Sequence, residues 1–418
     1  MMQVGFNYPV YSNYNGRWIG PFPDVDPADT SKLSPLWKAT LPGNLSRLKQ
    51  LGVSVVRVFI LENGFNYGPR PYEIPQKILH KPLTKWTFDP PSYPLDDPSY
   101  IKDPDGQRRT FKDHYTQLLE MFKSEKLQVI PSIIHFQAFL DPLPTERVQG
   151  GALLARGRAD VVEDSVKRKV FFENVLKQFL YLSAPYVEQI YAIEIMNEPI
   201  FNTKNVSPTE PHLGNRIIAQ DVMRDFLSQA CEMIENAGFE STVGHRFFDD
   251  CLRYPTGTRA QFHYYPLPDY AQNTIEKVTT HIQIPGFVTE EEHWVEKIFY
   301  TPDPLIIPER NAALAEIVAA QAQIRPGWKK NVKNVFVGEF GSDISGDHGG
   351  PWPELKGEDR SPLAVVLKRL MLLSNKGYDL ALVWPHKGSQ ATNLDRLSDK
   401  MDEDRWFALS TFARGAFK

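Results

Sequence analysis

The sequence predicts an α/β protein of the (β/α)8 type, a TIM barrel built as a single domain over residues 1–418 with long loops at its C-terminal rim. Three observations carry this. Short runs rich in Val, Ile, Phe and Tyr recur eight times, and most are followed by a segment of helical spacing. Several runs are apolar at consecutive positions, as in Val129-Ile130-Pro131-Ser132-Ile133-Ile134, the pattern of a parallel strand covered on both faces. A doubly wound sheet is the competing architecture for alternating βα units, but it would carry a Gly-rich phosphate turn. Neither G-x-G-x-x-G nor G-x-x-x-x-G-K-S/T occurs.

The strands are expected at 3–8, 53–61, 127–136, 190–197, 242–247, 261–265, 334–340 and 378–384. The first opens the chain as Gln3-Val4-Gly5-Phe6-Asn7-Tyr8, and the second carries Val53, Val55, Val56 and Val58 around Arg57. Helices are expected at 44–50, 111–125, 162–182, 215–237, 309–324, 362–375 and 402–413. In the second of these, Phe111, Tyr115, Leu118, Leu119 and Phe122 recur at spacings that share one face. The fifth crossover, 248–260, is too short and too punctuated by Pro and Gly for a full helix, so an irregular connection is expected there. Long connections follow strand ends at 62–110, 137–161, 266–308 and 341–361, where barrel enzymes place their sites. No Ser/Gly linker or short repeat divides the chain.

Composition narrows the function classes. With 47 Lys+Arg against 51 Asp+Glu the net charge is −4, too mild to draw the chain onto nucleic acid or an anionic membrane. Only Cys231 and Cys251 are present, which excludes a disulfide scaffold and favours free thiols. No run reaches the ~18 apolar residues of a membrane span. The chain opens Met1-Met2-Gln3-Val4-Gly5-Phe6 without a basic segment leading into an apolar one. It is therefore expected as a soluble protein, cytoplasmic or secreted with its signal removed. Nothing in the sequence fixes an oligomeric state. Aromatic residues at 12% and 34 prolines point to ordered loops carrying flat surfaces.

The chemistry concentrates at strand ends. Strand four ends Glu194-Ile195-Met196-Asn197-Glu198-Pro199, and strand seven ends Gly338-Glu339-Phe340-Gly341. Strict alternation turns Glu194 and Glu198 the same way, with Glu198 at the exit and Glu194 deeper. Strands four and seven face each other across the mouth of an eight-stranded barrel, so Glu198 and Glu339 can converge on one bound bond. Two convergent carboxylates are the minimum apparatus for glycoside cleavage. Either glutamate alone would pass for a solvated residue at a loop start. A carboxylic acid working near neutral pH needs a raised pKa, which a nearby ionised carboxylate supplies, so Glu198 is expected raised beside an ionised Glu339.

The ordered set Gly5-Phe6-Asn7, Arg57, His135, Asn197-Glu198-Pro199, His263-Tyr264-Tyr265, Gly338-Glu339-Phe340 and Trp384 resembles the clan A retaining glycoside hydrolases, most of all glycoside hydrolase family five. The resemblance spans nearly the whole chain. It implies that Glu198 is the general acid/base and Glu339 the nucleophile of a retaining β-glycosidase. It further implies that Asn197 holds the sugar 2-hydroxyl, Tyr265 orients the nucleophile, Arg57 and His135 support the site, and Trp384 floors a sugar subsite. The short fifth crossover and the inserts after strands two and six depart from the family pattern.

His263 projects from the same side of strand six as Tyr265. Trp18, after strand one, and Trp352, after strand seven, are the first choices for a sugar platform. The insert 266–308 carries Tyr270, Phe287, Trp294, Phe299 and Tyr300, enough to wall the mouth and favour short oligosaccharides or chain ends. The ten His residues are scattered without His-x-His at a strand end, so neither a metal nor another cofactor is expected. A Gly-x-Ser-x-Gly elbow is absent, and neither cysteine has an evident histidine partner. The partner expected is a carbohydrate. A transglycosylase or a non-catalytic sugar-binding barrel would use the same site.

Overall fold

The computed structural model describes residues 2–8, 36–60, 111–139, 159–203, 217–264, 273–284, 287–298, 307–340 and 362–383. Its strands are β1 (Gln3–Tyr8), β2 (Val55–Phe59), β3 (Gln128–His135), β4 (Ile193–Asn197), β5 (Ser241–His245), β6 (Arg259–Tyr264), β7 (Asn273–Ile284), β8 (Phe287–Ile298), β9 (Asn334–Phe340) and β10 (Leu380–Val383). Eight of them close a parallel barrel in the order β1-β2-β3-β4-β5-β6-β9-β10, with β10 returning to β1. These are the eight expected strands, and β1 and β9 match their expected limits residue for residue.

Alternation along the strands sorts side chains into two environments. Val4, Phe6, Val56, Val58, Val129, Val335, Val337, Ala381 and Val383 join the large core under the helices. Their inward neighbours Val55, Ile130, Phe336, Leu380 and Leu382 form a separate apolar plug with Tyr191 and Ala192. Above that plug the interior turns polar: Asn7, Arg57, Ser132, Glu194 and Gln261 are all buried to 1% exposure or less. A polar group inside a closed barrel costs stability unless it is paired, and in this layer Oε1 of Gln261 has no hydrogen-bond partner among the described residues.

The helix Phe111–Glu125 buries Tyr115, Leu118, Leu119 and Phe122, the face its spacing predicts. The helix expected at 44–50 starts earlier, at Leu36, and runs through Pro42; its last turns are held by Leu45 and Leu48 in the core. The single helix expected at 162–182 is instead broken. Asp164 accepts from the backbone N–H of Val166 and Lys167 and so restarts the helix as Ser165–Phe171, and a wider turn at Phe172–Leu176 precedes Lys177–Ser183. The helix expected at 215–237 begins only at Gln220. Segment 402–413 lies outside the described residues, as do 62–110 and 341–361.

The fifth crossover is irregular as expected, with a single helical turn at Phe248–Cys251. Its backbone is fastened from the next helix, Arg310–Ile324: buried Gln321 donates to the carbonyls of Cys251 and Tyr254 and accepts from the N–H of Thr256. The insert 266–308 differs from a plain loop, because β7 and β8 pair through it as an antiparallel hairpin. The signal was present in the β-branched run around Thr274–Thr280 and in the Pro285-Gly286 dipeptide between the two strands. Cys231 and Cys251 are buried free thiols. Among the described residues, no helix is long and apolar enough to cross a membrane.

Candidate active site

Two β-bulges shape the mouth. On β4, Glu194 pairs with Thr242 while Asn197 pairs with Gly244, so three steps on one strand meet two on the other. Ile195 and Met196 both join the outer core, and Asn197 comes back to the side of Glu194. The expected strict alternation from Glu194 to Glu198 is therefore corrected by one residue. Glu198 reaches the site through its backbone, which is left-handed at φ 50 and ψ 55, with its N–H held by the carbonyl of Gly244. A left-handed conformation at a residue other than Gly, ahead of a proline, is costly and persists only where the surroundings impose it. The second bulge lies between β6 and β9: Phe262 pairs with Val337, and His263 with Glu339, so Gly338 is skipped. Without that extra residue Glu339 would share the outward parity of Val337; with it, the carboxylate turns inward.

Both bulges use a glycine for close approach. A Cβ on Gly244 would sit 2.9 Å from Oδ1 of Asn197 and 3.1 Å from both Nη2 of Arg57 and Oε1 of Glu194. A Cβ on Gly338 would collide with Oε1 of Gln261.

Arg57 ties the floor of the site together. Its Nε donates to Oε2 of Glu194 at 2.7 Å, and Nη2 donates to Oε1 of Glu194 at 2.5 Å and to Oδ1 of Asn197 at 2.7 Å. Nη1 donates to Oδ1 of Asn7 at 3.1 Å and to Oε1 of Glu339. All five N–H donors of the guanidinium are thus matched from four residues on three other strands. Ser132 and Gln261 satisfy the remaining capacity of Glu194, and Asn7 spans to the carbonyl of Gly338.

Above this layer stand Glu198, His263 and Glu339, each at 6% exposure or less. Nδ1 of His263 lies 2.8 Å from Oε1 of Glu198 and 3.4 Å from Oε2 of Glu339. One oxygen of each glutamate and a ring nitrogen of His263 lie within 4.8 Å of one another. Arg246, one residue past β5, donates from Nη1 to Oε1 of Glu198 at 2.9 Å.

The charges fall in two groups. Arg57 serves both Glu194 and Glu339 and can neutralise only one of them, whereas Glu198 has Arg246 beside it. Burial lifts Glu339 above the usual carboxylate range despite His263 and Arg57, and the charge of Glu198 adds to the rise. Burial also acts on Glu198, but Arg246 and His263 outweigh it and hold that carboxyl well below the usual range. At Glu198 the direction is opposite to the expected rise. The reason is Arg246, a cation beside the proposed acid that the sequence does not reveal.

Of the residues expected at the site, Glu198, Glu339, Arg57, Asn197 and His263 come together. His135 ends β3 in register with Asn197 and packs its ring against Phe59 and Phe136. Tyr265, Trp384, Trp18 and Trp352 lie outside the described residues. Arg246, Gln261, Ser132 and Gly244 were missed. For Gln261 and Ser132 a signal existed, since each is a polar residue at an inward position of an apolar strand. Arg246 carried none. Glu198, His263 and Glu339 could each offer one ligand atom to a metal ion. Two guanidinium groups already donate to those carboxylates, which disfavours a further cation between them.

No family model and no curated protein matches the chain. Among solved structures, it is similar in fold to the β-mannanase of the blue mussel Mytilus edulis, at 14% identity and a TM-score of 0.50 over 98% of this chain and 92% of that one. It is also similar to the β-1,4-D-mannanase of Cryptopygus antarcticus, at 13% identity and a TM-score of 0.51 over 98% and 90% of the two chains. A third is the β-1,4-mannanase of the sea hare Aplysia kurodai, at 16% identity and a TM-score of 0.50 over 99% and 92%. At these identities the likeness is one of fold, that of the closed parallel barrel.

Proposed function

We propose that this protein is a retaining β-glycoside hydrolase acting by double displacement, with Glu198 as general acid/base and Glu339 as nucleophile. The observation that carries the reading is the approach of a Glu198 oxygen to a Glu339 oxygen within 4.8 Å, at the ends of two strands across the barrel mouth. Retaining sites hold their carboxyl groups about 5–5.5 Å apart, and inverting sites leave about 6.5–9.5 Å for a water.

In the first step an oxygen of Glu339 attacks the anomeric carbon, the bond to the leaving oxygen breaks, and that oxygen takes the proton of Glu198. In the second, Glu198 removes a proton from water, whose oxygen attacks the same carbon and releases the Glu339 carboxylate. Arg57, bonded to Glu339 and anchored on Glu194, fixes the attacking oxygen. Asn197 presents its amide beside the acid, where a bond to a sugar hydroxyl gains strength as charge develops. Because the fold neighbours are β-mannanases, β-1,4-linked mannan and mannooligosaccharides are the first substrates to try, followed by β-glucans.

Proton NMR of fresh hydrolysate should show retained β configuration; an inverted product overturns Glu339 as nucleophile. Glu339→Ala should lose turnover on every substrate. Glu198→Ala should lose about 10²–10⁴-fold on oligosaccharides yet keep activity on dinitrophenyl glycosides, whose leaving group needs no proton. Equal loss on both classes overturns the acid/base role. A rapid fall in viscosity at low conversion of soluble mannan would replace action on short chains by internal cutting.

A further inference from the structure

We infer that Arg246 is a positioning residue for proton delivery: its hydrogen bond to Oε1 of Glu198 holds that carboxylate as the anion and so sets the pH above which Glu198 stops protonating the leaving group. The inference rests on the acid/base role of Glu198 proposed above and adds a residue that the family resemblance does not supply.

The geometry is specific. Arg246 follows the buried end of β5, and its guanidinium lies 5.8 Å from the ring centres of both Phe201 and Phe247. Phe201 belongs to the short turn Pro199–Asn202 that begins immediately after Glu198. The left-handed turn that aims Glu198 into the mouth therefore also places an aromatic face against the cation that grips it. The side chain of Arg246 is 24% exposed, against 0% for Arg57, so it meets Glu198 from the solvent side.

The charged groups facing Glu198 among the described residues are Arg246 beyond β5, His263 on β6 and Glu339 on β9, the last backed by Arg57 and Glu194. The charge of Glu198 raises Glu339, and His263 bridges the two. Arg57 has its charge divided between two carboxylates. Arg246 is the cation hydrogen-bonded to Glu198 from the solvent side, and removing it shifts the balance toward the protonated acid.

The test is a carbon-13 titration of glutamate δ-carboxyls in the full chain, the Glu198 signal being assigned by its disappearance in Glu198→Gln. In Arg246→Gln the Glu198 midpoint should rise by about one pH unit or more, while Arg246→Lys, which keeps the charge, should hold it near the wild-type position. On mannohexaose the alkaline limb of kcat/KM should move with it, giving about a tenfold gain over wild type on that limb. On a dinitrophenyl glycoside the limb should stay where it is. An unmoved midpoint in Arg246→Gln, or equal movement in both variants, overturns the inference. Failure of the acid/base reading has a separate mark, namely equal loss by Glu198→Ala on both substrate classes, and would end the kinetic part whatever the titration gave.

Discussion

Arg57 is the residue on which most of the site's order depends, because two buried carboxylates and two amide oxygens converge on it from across the barrel. A lysine could not replace it, since one ammonium offers three donors from a point and not five in a plane. Arg57→Met fills a similar volume but leaves Glu194 and Glu339 facing each other without a cation. The expected cost is about 3–5 kcal/mol, the range for a buried ion pair stripped of one partner. Urea unfolding checks it, as a lowered midpoint at unchanged slope. A loss below about 1 kcal/mol would show that the network reorganises around neutral carboxyls.

Among the elements, the irregular fifth crossover is where support comes from outside the connection itself. A full helix would satisfy its own backbone; one turn at Phe248–Cys251 cannot, and Gln321 supplies two donors and an acceptor instead. Gln321→Leu keeps the packing and leaves two carbonyls and one N–H without that partner. The expected loss is about 2–3 kcal/mol, with faster amide exchange confined to 251–258. Uniform exchange along the chain would instead mean that the crossover opens only with the whole barrel. This connection matters to the site because it follows Arg246 directly and joins β5 to the strand that carries His263.

For the whole molecule, the pH dependence of stability carries the mark of a buried neutral histidine. His245 is fully buried at the end of β5, with Nε2 3.1 Å from the carbonyl of Pro255. Burial lowers its pKa from 6.5 to about 3, with the nearby His263 adding to the effect and the Pro255 carbonyl opposing it. The unfolded chain takes up this proton below about pH 6.5 while the folded one does not. Stability is therefore complete above pH 6.5 and falls by about 1.4 kcal/mol for each pH unit below it, until the folded group also titrates near pH 3. Chemical unfolding of wild type and His245→Asn at pH 7, about 5.5 and about 4 isolates this contribution as the pH-dependent difference between them. A difference that stays constant with pH would show that His245 titrates alike in the folded and unfolded chain.

The sequence by itself determined the barrel, because eight buried strands announce themselves through apolar runs and turn chemistry, which are local properties. It also placed Glu198 and Glu339 at strand exits, and it marked Arg57 as an uncommon cation in an apolar run. Only the tertiary structure decided how those residues face one another. Strict alternation on β4 would have aligned Glu198 with Glu194, and alternation on β9 would have sent Glu339 outward with Val337. Both outcomes were changed by bulges whose positions depend on the partner strand's register, which no single strand encodes. The cation that lowers Glu198 beside His263 was equally hidden. It is Arg246, whose neighbour in space is 48 positions away in the chain and whose own surroundings in sequence, between a histidine and a phenylalanine, carry no sign of the carboxylate it meets.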